Sequence, residues 1–313
     1  MCEIQKPNYL ILCDYSWMFR QYLHVFDKLS IINPATNQEV KTGVVYGFTK
    51  FIESVCFNYK KKGITCKIIF CFDSKSDERT GVFEDYKSNR PKNVVSGDVF
   101  SSNKTMTYQV CSLAKQVAFA SLENKEADDI IAMLAIKNLP RFDKVIIYSG
   151  DKDFLQLTSI DKIFVANKRD KGDFVFYTDD SIKESFDGCD KKYLLPYRAI
   201  RGDKSDGIPS VVPRVPSKLV LQFAKLIHEN SNILPVLTKE AFPDFTDKEF
   251  IWYEKLLENI SLLNRNISLM SLLKYTDPNL NKSVNVFKSF TDVTYLLELL
   301  QLNNFKLFLT KLQ

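Results

Sequence analysis

Three short apolar runs punctuate the first half of the chain, and each ends on an aspartate. Tyr9 to Cys13 leads into Asp14, Lys67 to Phe72 into Asp73, and Lys144 to Tyr148 into SGDKD, which carries Asp151 and Asp153. Runs of this length, rich in Ile, Val and Phe, predict buried strands. Between them the apolar period lengthens. Gly43 to Lys62 sets Val44, Phe48, Ile52, Val55 and Tyr59 on one stripe and stops before Gly63, which predicts an amphipathic helix with a glycine C-cap. Lys104 to Ser121 and Glu126 to Asn138 predict two more helices, the second with acids in its first turn. Two further β-rich runs follow, Lys162 to Ala166 and Asp173 to Tyr177. Near-continuous apolar strands alternating with helices indicate an α/β fold, a mostly parallel sheet covered on both faces.

Beyond about Lys191 the chain turns helical and leucine-rich, with no fixed-period repeat. This divides it into an expected catalytic domain, 1–190, and a helical C-terminal domain, 191–313. Arg79 to Lys104 is polar and poorly periodic, and a loop of that length inside a compact domain is usually functional or disordered.

Composition narrows the chemistry. Hydrophobic residues make up 45% and charged residues 26% of the 313 positions, which excludes wholesale disorder. No apolar run approaches the roughly 18 residues of a membrane helix, and Met1 to Pro7 lacks a signal-peptide pattern, so a cytosolic protein is expected. Seven cysteines form no CxxC pair, consistent with free thiols, and only two histidines occur, His24 and His228. Zinc sites of the His/Cys type and histidine acid–base catalysis are thereby disfavoured. The net charge is +5. If nine acids form one cation-neutralised cluster, 43 basic residues face 29 acidic ones elsewhere, the balance of a surface that meets a polyanion.

The placement of the acids is the informative feature. Ligands of parallel sheets bind beyond the carboxyl ends of the strands. Three strand ends aim Asp14, Asp73, Asp151 and Asp153 at such a crevice, and a helix start adds Glu126, Asp128 and Asp129. Like charges so crowded cannot all stay ionised without cations. All-oxygen donors select magnesium or manganese, and a carboxylate-rich site suits two ions about 3.5–4 Å apart, the arrangement for in-line displacement at phosphorus. Each signal is ordinary alone: acids favour helix starts and aspartate favours turns. Their joint occurrence is not. Asp203 and Asp206, in RAIRGDKSDGIPSVV, read by themselves as a solvated loop. Past Asp73 lie Arg79, Tyr86, Lys87 and Arg90; Lys87 and Arg90 suit a scissile phosphate and Tyr86 a stacked base.

The segments LILCDYS, FCFD, YKSNR, EADDIIAMLA, SGDKDFLQL and RGDKSDGIP, in this order, resemble the 5′-nuclease family: flap endonucleases, the 5′-exonuclease domains of bacterial DNA polymerases and the phage 5′-nucleases. Length and the leucine-rich C-terminal part are most similar to the ribonuclease H type of T-even phages. The resemblance covers roughly residues 8 to 215. It implies a PIN-like or resolvase-like core, a helical arch at about 79–104 and a C-terminal helix–turn–helix. It also implies roles. Asp14, Asp73, Asp128 and Asp151 match acids around a first Mg2+, and Asp153, Asp203 and Asp206 those around a second, with Glu126 and Asp129 between them. Mn2+ is expected to substitute. Arg79, Tyr86, Lys87 and Arg90 match the arch, the last two touching the scissile phosphate.

One segment departs from the family. A glycine-rich hairpin of the form GVxGIGxKTA is replaced by SVVPRVPSKLV, with Pro213 and Pro216 at glycine positions. Arg214, Lys218 and Lys225 are the basic residues expected to hold duplex instead. The implied activity is 5′-3′ exonuclease, flap endonuclease and ribonuclease H cleavage of RNA–DNA hybrids and of flapped or nicked duplexes by a monomer. The implied role is removal of RNA primers in phage replication, beside a single-stranded-DNA-binding protein. Two alternatives are a PIN-type ribonuclease and a non-catalytic, structure-specific DNA-binding protein.

Overall fold

A computed structural model describes residues 6–74, 77–88, 97–231, 246–280, 284–287 and 294–312. In chain order its strands are β1 (Asn8–Asp14), β2 (Ser30–Ile32), β3 (Glu39–Lys41), β4 (Thr65–Cys71), β5 (Val117–Ser121), β6 (Lys144–Tyr148), β7 (Ile163–Asp170), β8 (Asp173–Phe176) and β9 (Asn285–Phe287). The helices of the first half are α1 (Tyr15–Val25), α2 (Gly43–Lys61), α3 (Asp77–Val82), α4 (Gly97–Cys111), α5 (Ala127–Asn138) and α6 (Asp179–Ser185). Those of the second are α7 (Leu194–Arg201), α8 (Ser217–Glu229), α9 (Asp247–Glu258), α10 (Ile260–Met270), α11 (Thr294–Leu299) and α12 (Asn303–Leu312).

Seven strands form one sheet in the order β8-β7-β6-β1-β4-β5-β9. The central pairings β6–β1, β1–β4, β4–β5 and β6–β7 are parallel, and β8 and β9 close the edges antiparallel. The strands that end at Asp14, Asp73 and Asp151 are therefore direct neighbours, with β1 in the middle. Alternation within them builds two cores. Leu10, Leu12, Ile69, Val145 and Ile147 face α5 and helices α7 to α10. Ile11, Cys13, Ile68, Phe70 and Ile146 face α1, α2, α4 and the C-terminal α11 and α12. A strand buried on both faces shows no polar alternation, which is why these runs read as continuously apolar.

The described structure corrects one predicted element. The helix expected over Lys104 to Ser121 ends at Cys111, and Val117–Ser121 is instead β5, parallel to β4. A five-residue strand following a helix in one apolar stretch has no period of its own to betray the switch. The polar stretch after Asp73 holds α3, a turn over 84–88 and the start of α4; Arg90 lies outside the described residues.

Buried polar clamps tie the helices after residue 190 to the first half of the chain through Gln156 and to one another through Asn266. The Gln156 amide donates to the carbonyl of Met270 at 3.0 Å and accepts from the Leu272 backbone N–H at 2.9 Å. Asn266, fully buried, donates to the carbonyls of Ala199 and Pro209, each at 2.9 Å. Such groups are costly to orphan, about 1–3 kcal/mol apiece. Gln156→Ala is expected to destabilise the protein by about 3 kcal/mol on that basis, read as a lowered urea midpoint at unchanged slope. A loss below about 1 kcal/mol would show that the clamp contributes little.

Candidate active site

Each acid is positioned by backbone geometry before any ligand is considered. Asp14 ends β1 and caps α1, accepting from the Trp17 N–H at 3.0 Å, while its other oxygen accepts from the Ser149 hydroxyl at 2.9 Å. Asp73 follows β4 and accepts from the Ala127 N–H at 2.9 Å, at the start of α5, and from the Ser16 hydroxyl. Asp151 caps the 3-10 helix Lys152–Ser159 through the Asp153 N–H at 2.8 Å. Asp203 caps the short 3-10 turn before Asp206, accepting from the Ser205 N–H at 2.8 Å. Two glycines make the approach possible. A Cβ at Gly150 would stand 2.3 Å from Trp17 Nε1, and one at Gly202, whose φ is +72°, would stand 2.5 Å from the Ile208 carbonyl oxygen. Only glycine fits either place.

The result is a cleft of about 490 Å3 lined by Asp14, Asp73, Glu126, Asp128, Asp151, Asp153, Asp203 and Asp206, with Arg20, Lys87, Lys152 and Arg198 among them. Eight of the nine acids named from the sequence share this cleft. Asp129 does not line it: at 1% exposure it points beneath, where it accepts from Tyr275 Oη at 2.8 Å and pairs with Arg79 at 3.0 Å.

Three internal cations hold the acids together. Arg79, 6% exposed, reaches Glu126, Asp128 at 2.8 Å and Asp129. It therefore sits under the acids rather than above them as an arch residue. Lys87, whose backbone adopts φ +58°, pairs with Glu126 at 2.7 Å from the rim of the cleft. Arg198 bridges Asp153 and Asp203, both at 2.7 Å. Tyr86 offers no open face to a base: it is buried, Lys87 and Arg79 lie against its ring, and its hydroxyl enters the acid network at 3.2 Å from Glu126. Arg214, Lys218 and Lys225 are exposed and away from the cleft, the first in a turn and the other two on α8. Sequence reasoning passed over Arg198 and Tyr275. Arg198 stood in the quoted RAIRGDKSD, five residues before Asp203; Tyr275 carries no local signal at all.

The electrostatics reflect burial and crowding. Burial, then the Asp73 charge, pushes Asp14 up to about 7. Burial likewise pushes Asp153 up to about 8, against the pull of Arg198 and with help from Asp151 and Asp128. Burial would also raise Asp128, but Arg79 and Lys87 more than offset it and hold that carboxyl below its ordinary range. The donor set is all oxygen, the set that suits magnesium or manganese. Among the described residues, no three acidic, histidine or cysteine side chains stand arranged to hold an ion as they are. Arg79, Lys87 and Arg198 already draw the carboxylates of Glu126, Asp128, Asp129, Asp153 and Asp203 towards themselves. Eight carboxylates against five cations, Arg79 beneath and Arg20, Lys87, Lys152 and Arg198 in the lining, leave an anionic surplus that divalent ions fit.

Comparison with known proteins gives a consistent picture. Residues 8–187 match the family model described as 5′-3′ exonuclease, N-terminal resolvase-like domain. The chain is 33% identical over 236 residues to a 5′-3′ exonuclease of Buchnera aphidicola, covering 73% of this chain and 74% of the relative. It is 31% identical over 223 residues to DNA polymerase I of Bacillus subtilis, covering 68% of this chain but only 24% of that polymerase. The fold is similar to the flap endonuclease of bacteriophage T5 in a complex with DNA and metal ions, at 17% identity and a TM-score of 0.61, over 97% of this chain and 98% of that one. No helix among the described residues is long and apolar enough to cross a membrane.

The raised acids generate a prediction for the metal-free protein. Asp14 and Asp153 bind protons more tightly folded than unfolded, so their contribution to stability is complete below about pH 4 and lost as pH rises through about 7 and about 8. The melting temperature in chelator is expected to fall between about pH 5 and about pH 8, and added Mg2+ to reverse the fall at the upper end. A melting temperature that stays flat or rises over that range would contradict this account.

Proposed function

The chain belongs to the 5′-3′ exonuclease family of phosphodiester hydrolases, and on that premise we propose that it is a divalent-metal-dependent 5′-3′ exonuclease and flap endonuclease with ribonuclease H activity. Its substrates are RNA–DNA hybrids and 5′-flapped or nicked duplexes, and the role such a specificity serves is removal of RNA primers, in a phage replication setting. One observation carries this reading: four carboxylates at or beyond the ends of three adjacent parallel strands, two at a helix start and two in a 3-10 turn line a single cleft, with Lys87 on its rim.

In this reading Asp14, Asp73, Asp128 and Asp151 hold one ion, Asp153, Asp203 and Asp206 the other, and Glu126 and Asp129 support both through water or through Arg79. Ions held there supply Lewis acidity for in-line displacement at phosphorus. The chain's own residues do the rest. Lys87 Nζ leaves Glu126 for a non-bridging phosphate oxygen, where charge builds in the transition state. Arg79 and Tyr86 keep the Glu126–Asp128 edge in place from beneath. Arg90 remains a proposed partner of Lys87. The C-terminal part, 191–313, contributes the duplex grip.

The decisive experiment incubates 5′-labelled hybrid and flap substrates with and without Mg2+ and analyses product ends. Cleavage only with the ion, leaving 5′-phosphate and 3′-hydroxyl, is expected. Binding without cleavage would favour a structure-specific DNA-binding protein, and cleavage of single-stranded RNA alone a PIN-type ribonuclease. Asp128→Asn is expected to abolish cleavage while keeping the fold and much of the DNA affinity. Lys87→Ala is expected to lower kcat by about 10²–10³ with little change in KM; an effect confined to KM would demote it to general phosphate binding.

A second prediction concerns the duplex. Pro216 precedes α8 rather than breaking it, so Lys218 and Lys225, seven residues apart, share one side of that helix. Replacing Arg214, Lys218 and Lys225 together by alanine is expected to weaken flap binding regardless of sequence and to reduce the log–log salt slope by about two to three. An unchanged slope would put the duplex on another surface.

A further inference from the structure

The two arginines paired to the acids are held in different ways. Arg79 contacts three carboxylates and lies under Tyr86 at 6% exposure, a position with no exit. Arg198 lies on the last turn of α7, lines the cleft itself, and its side chain is 14% exposed. One nitrogen, Nη2, stands 2.7 Å from both Asp153 Oδ1 and Asp203 Oδ2. Its Nε, like that of Arg79, is buried with no hydrogen-bond partner, so the difference between the two lies in exposure and in how many carboxylates their terminal nitrogens bond. The Arg198 guanidinium is thus held at one corner, by a single hydrogen bond to Asp203 and by charge alone to Asp153, and not by the paired, in-plane hydrogen bonds of a settled Arg–carboxylate fork. A single positive centre midway between two carboxylate oxygens is also the place a small cation would take between them.

We propose that Arg198 is an exchangeable cation, occupying the Asp153–Asp203 pair until a divalent ion displaces its guanidinium. This inference rests on the metal-dependent reading of the same cleft. Ion and arginine compete for the same two oxygens, so binding at this pair is weaker than the carboxylate count implies, and the other ion binds first. The displaced guanidinium, still facing the cleft with unfilled donors, suits a phosphate oxygen of the substrate. Substrate and second ion therefore favour each other, because a phosphate that takes up Arg198 leaves the carboxylate pair open. Arg198 is a positioning residue in the metal-free protein and a substrate contact in the loaded one.

The test counts bound Mn2+ by the electron paramagnetic resonance signal of the free ion, in the absence of nucleic acid, and pairs it with melting curves. The wild type is expected to bind one ion tightly and a second weakly. In Arg198→Gln the weak site is expected to tighten at least tenfold, and the melting temperature to drop in chelator but not in saturating Mn2+. Arg198→Lys, which keeps a cation without the fork, is expected to fall between the two, and it carries the measurement if the glutamine variant does not fold. A second site that is unchanged or weakened in the variants would overturn the proposal. So would an equal loss of melting temperature with and without Mn2+, the mark of a merely structural arginine. Absence of Mn2+ binding by the wild type would instead overturn the metal-dependent reading and this inference with it.

Discussion

Mutual repulsion among carboxylates is the constraint around which this molecule is arranged. Three adjacent parallel strands deliver aspartates to one edge of the sheet, and a helix start and a 3-10 turn add more. In a partly desolvated cleft such charges raise one another's proton affinity, as Asp14 and Asp153 record. The protein offsets this with cations of its own. Each is placed differently: Arg79 is sealed below, Lys87 stands on the rim, and Arg198 spans the far pair. Under the proposed reading the three placements correspond to three tasks: holding the cluster together, meeting the phosphate, and reserving a site.

That arrangement requires a rigid frame on both sides. Beneath the acids, Tyr275 donates to Asp129 and Lys274 lies 3.8 Å from it, so the segment after α10 braces the base of the Arg79 network. The Gln156 and Asn266 clamps hold the same C-terminal helices against the 3-10 helix that carries Asp153 and against α7, which carries Arg198. Packing of the helical half is thereby coupled to the geometry of the acids, although it contributes none of the residues lining the cleft beyond Asp206.

On the opposite face of the sheet the frame is aromatic. Tyr15 stacks on Phe48 with ring centroids 4.9 Å apart, and Phe72 stacks on Phe119 at 5.5 Å. Tyr15 directly follows Asp14 and Phe72 directly precedes Asp73, so the strand ends that carry the acids are anchored by large apolar rings one residue away. Such pairs add about 0.5–1.5 kcal/mol beyond the area they bury.

The amino-acid sequence by itself determined the strands, because residues buried on both faces of a sheet must be apolar throughout, and it determined most of the acids, because Asp14, Asp73, Asp151 and Asp153 fall at or shortly past a strand end and Glu126, Asp128 and Asp129 at a helix start; Asp203 and Asp206 were legible only through the family resemblance. It missed β5, a strand too short to show a period after a helix. The resemblance put Arg79 and Tyr86 on the arch above the acids and Asp129 among the metal ligands, whereas packing buries all three beneath the cleft. Spacing along the chain says that Arg79 lies near Asp73 but not on which side of the acids its guanidinium comes to rest. Nor can local pattern bring Tyr275 to Asp129, 146 residues away, or set Arg198 between Asp153 and Asp203. Ligand type is written in residue chemistry and local spacing; the pairing of buried charges is settled only when distant elements close around them, because only then does each carboxylate find which cation is nearest.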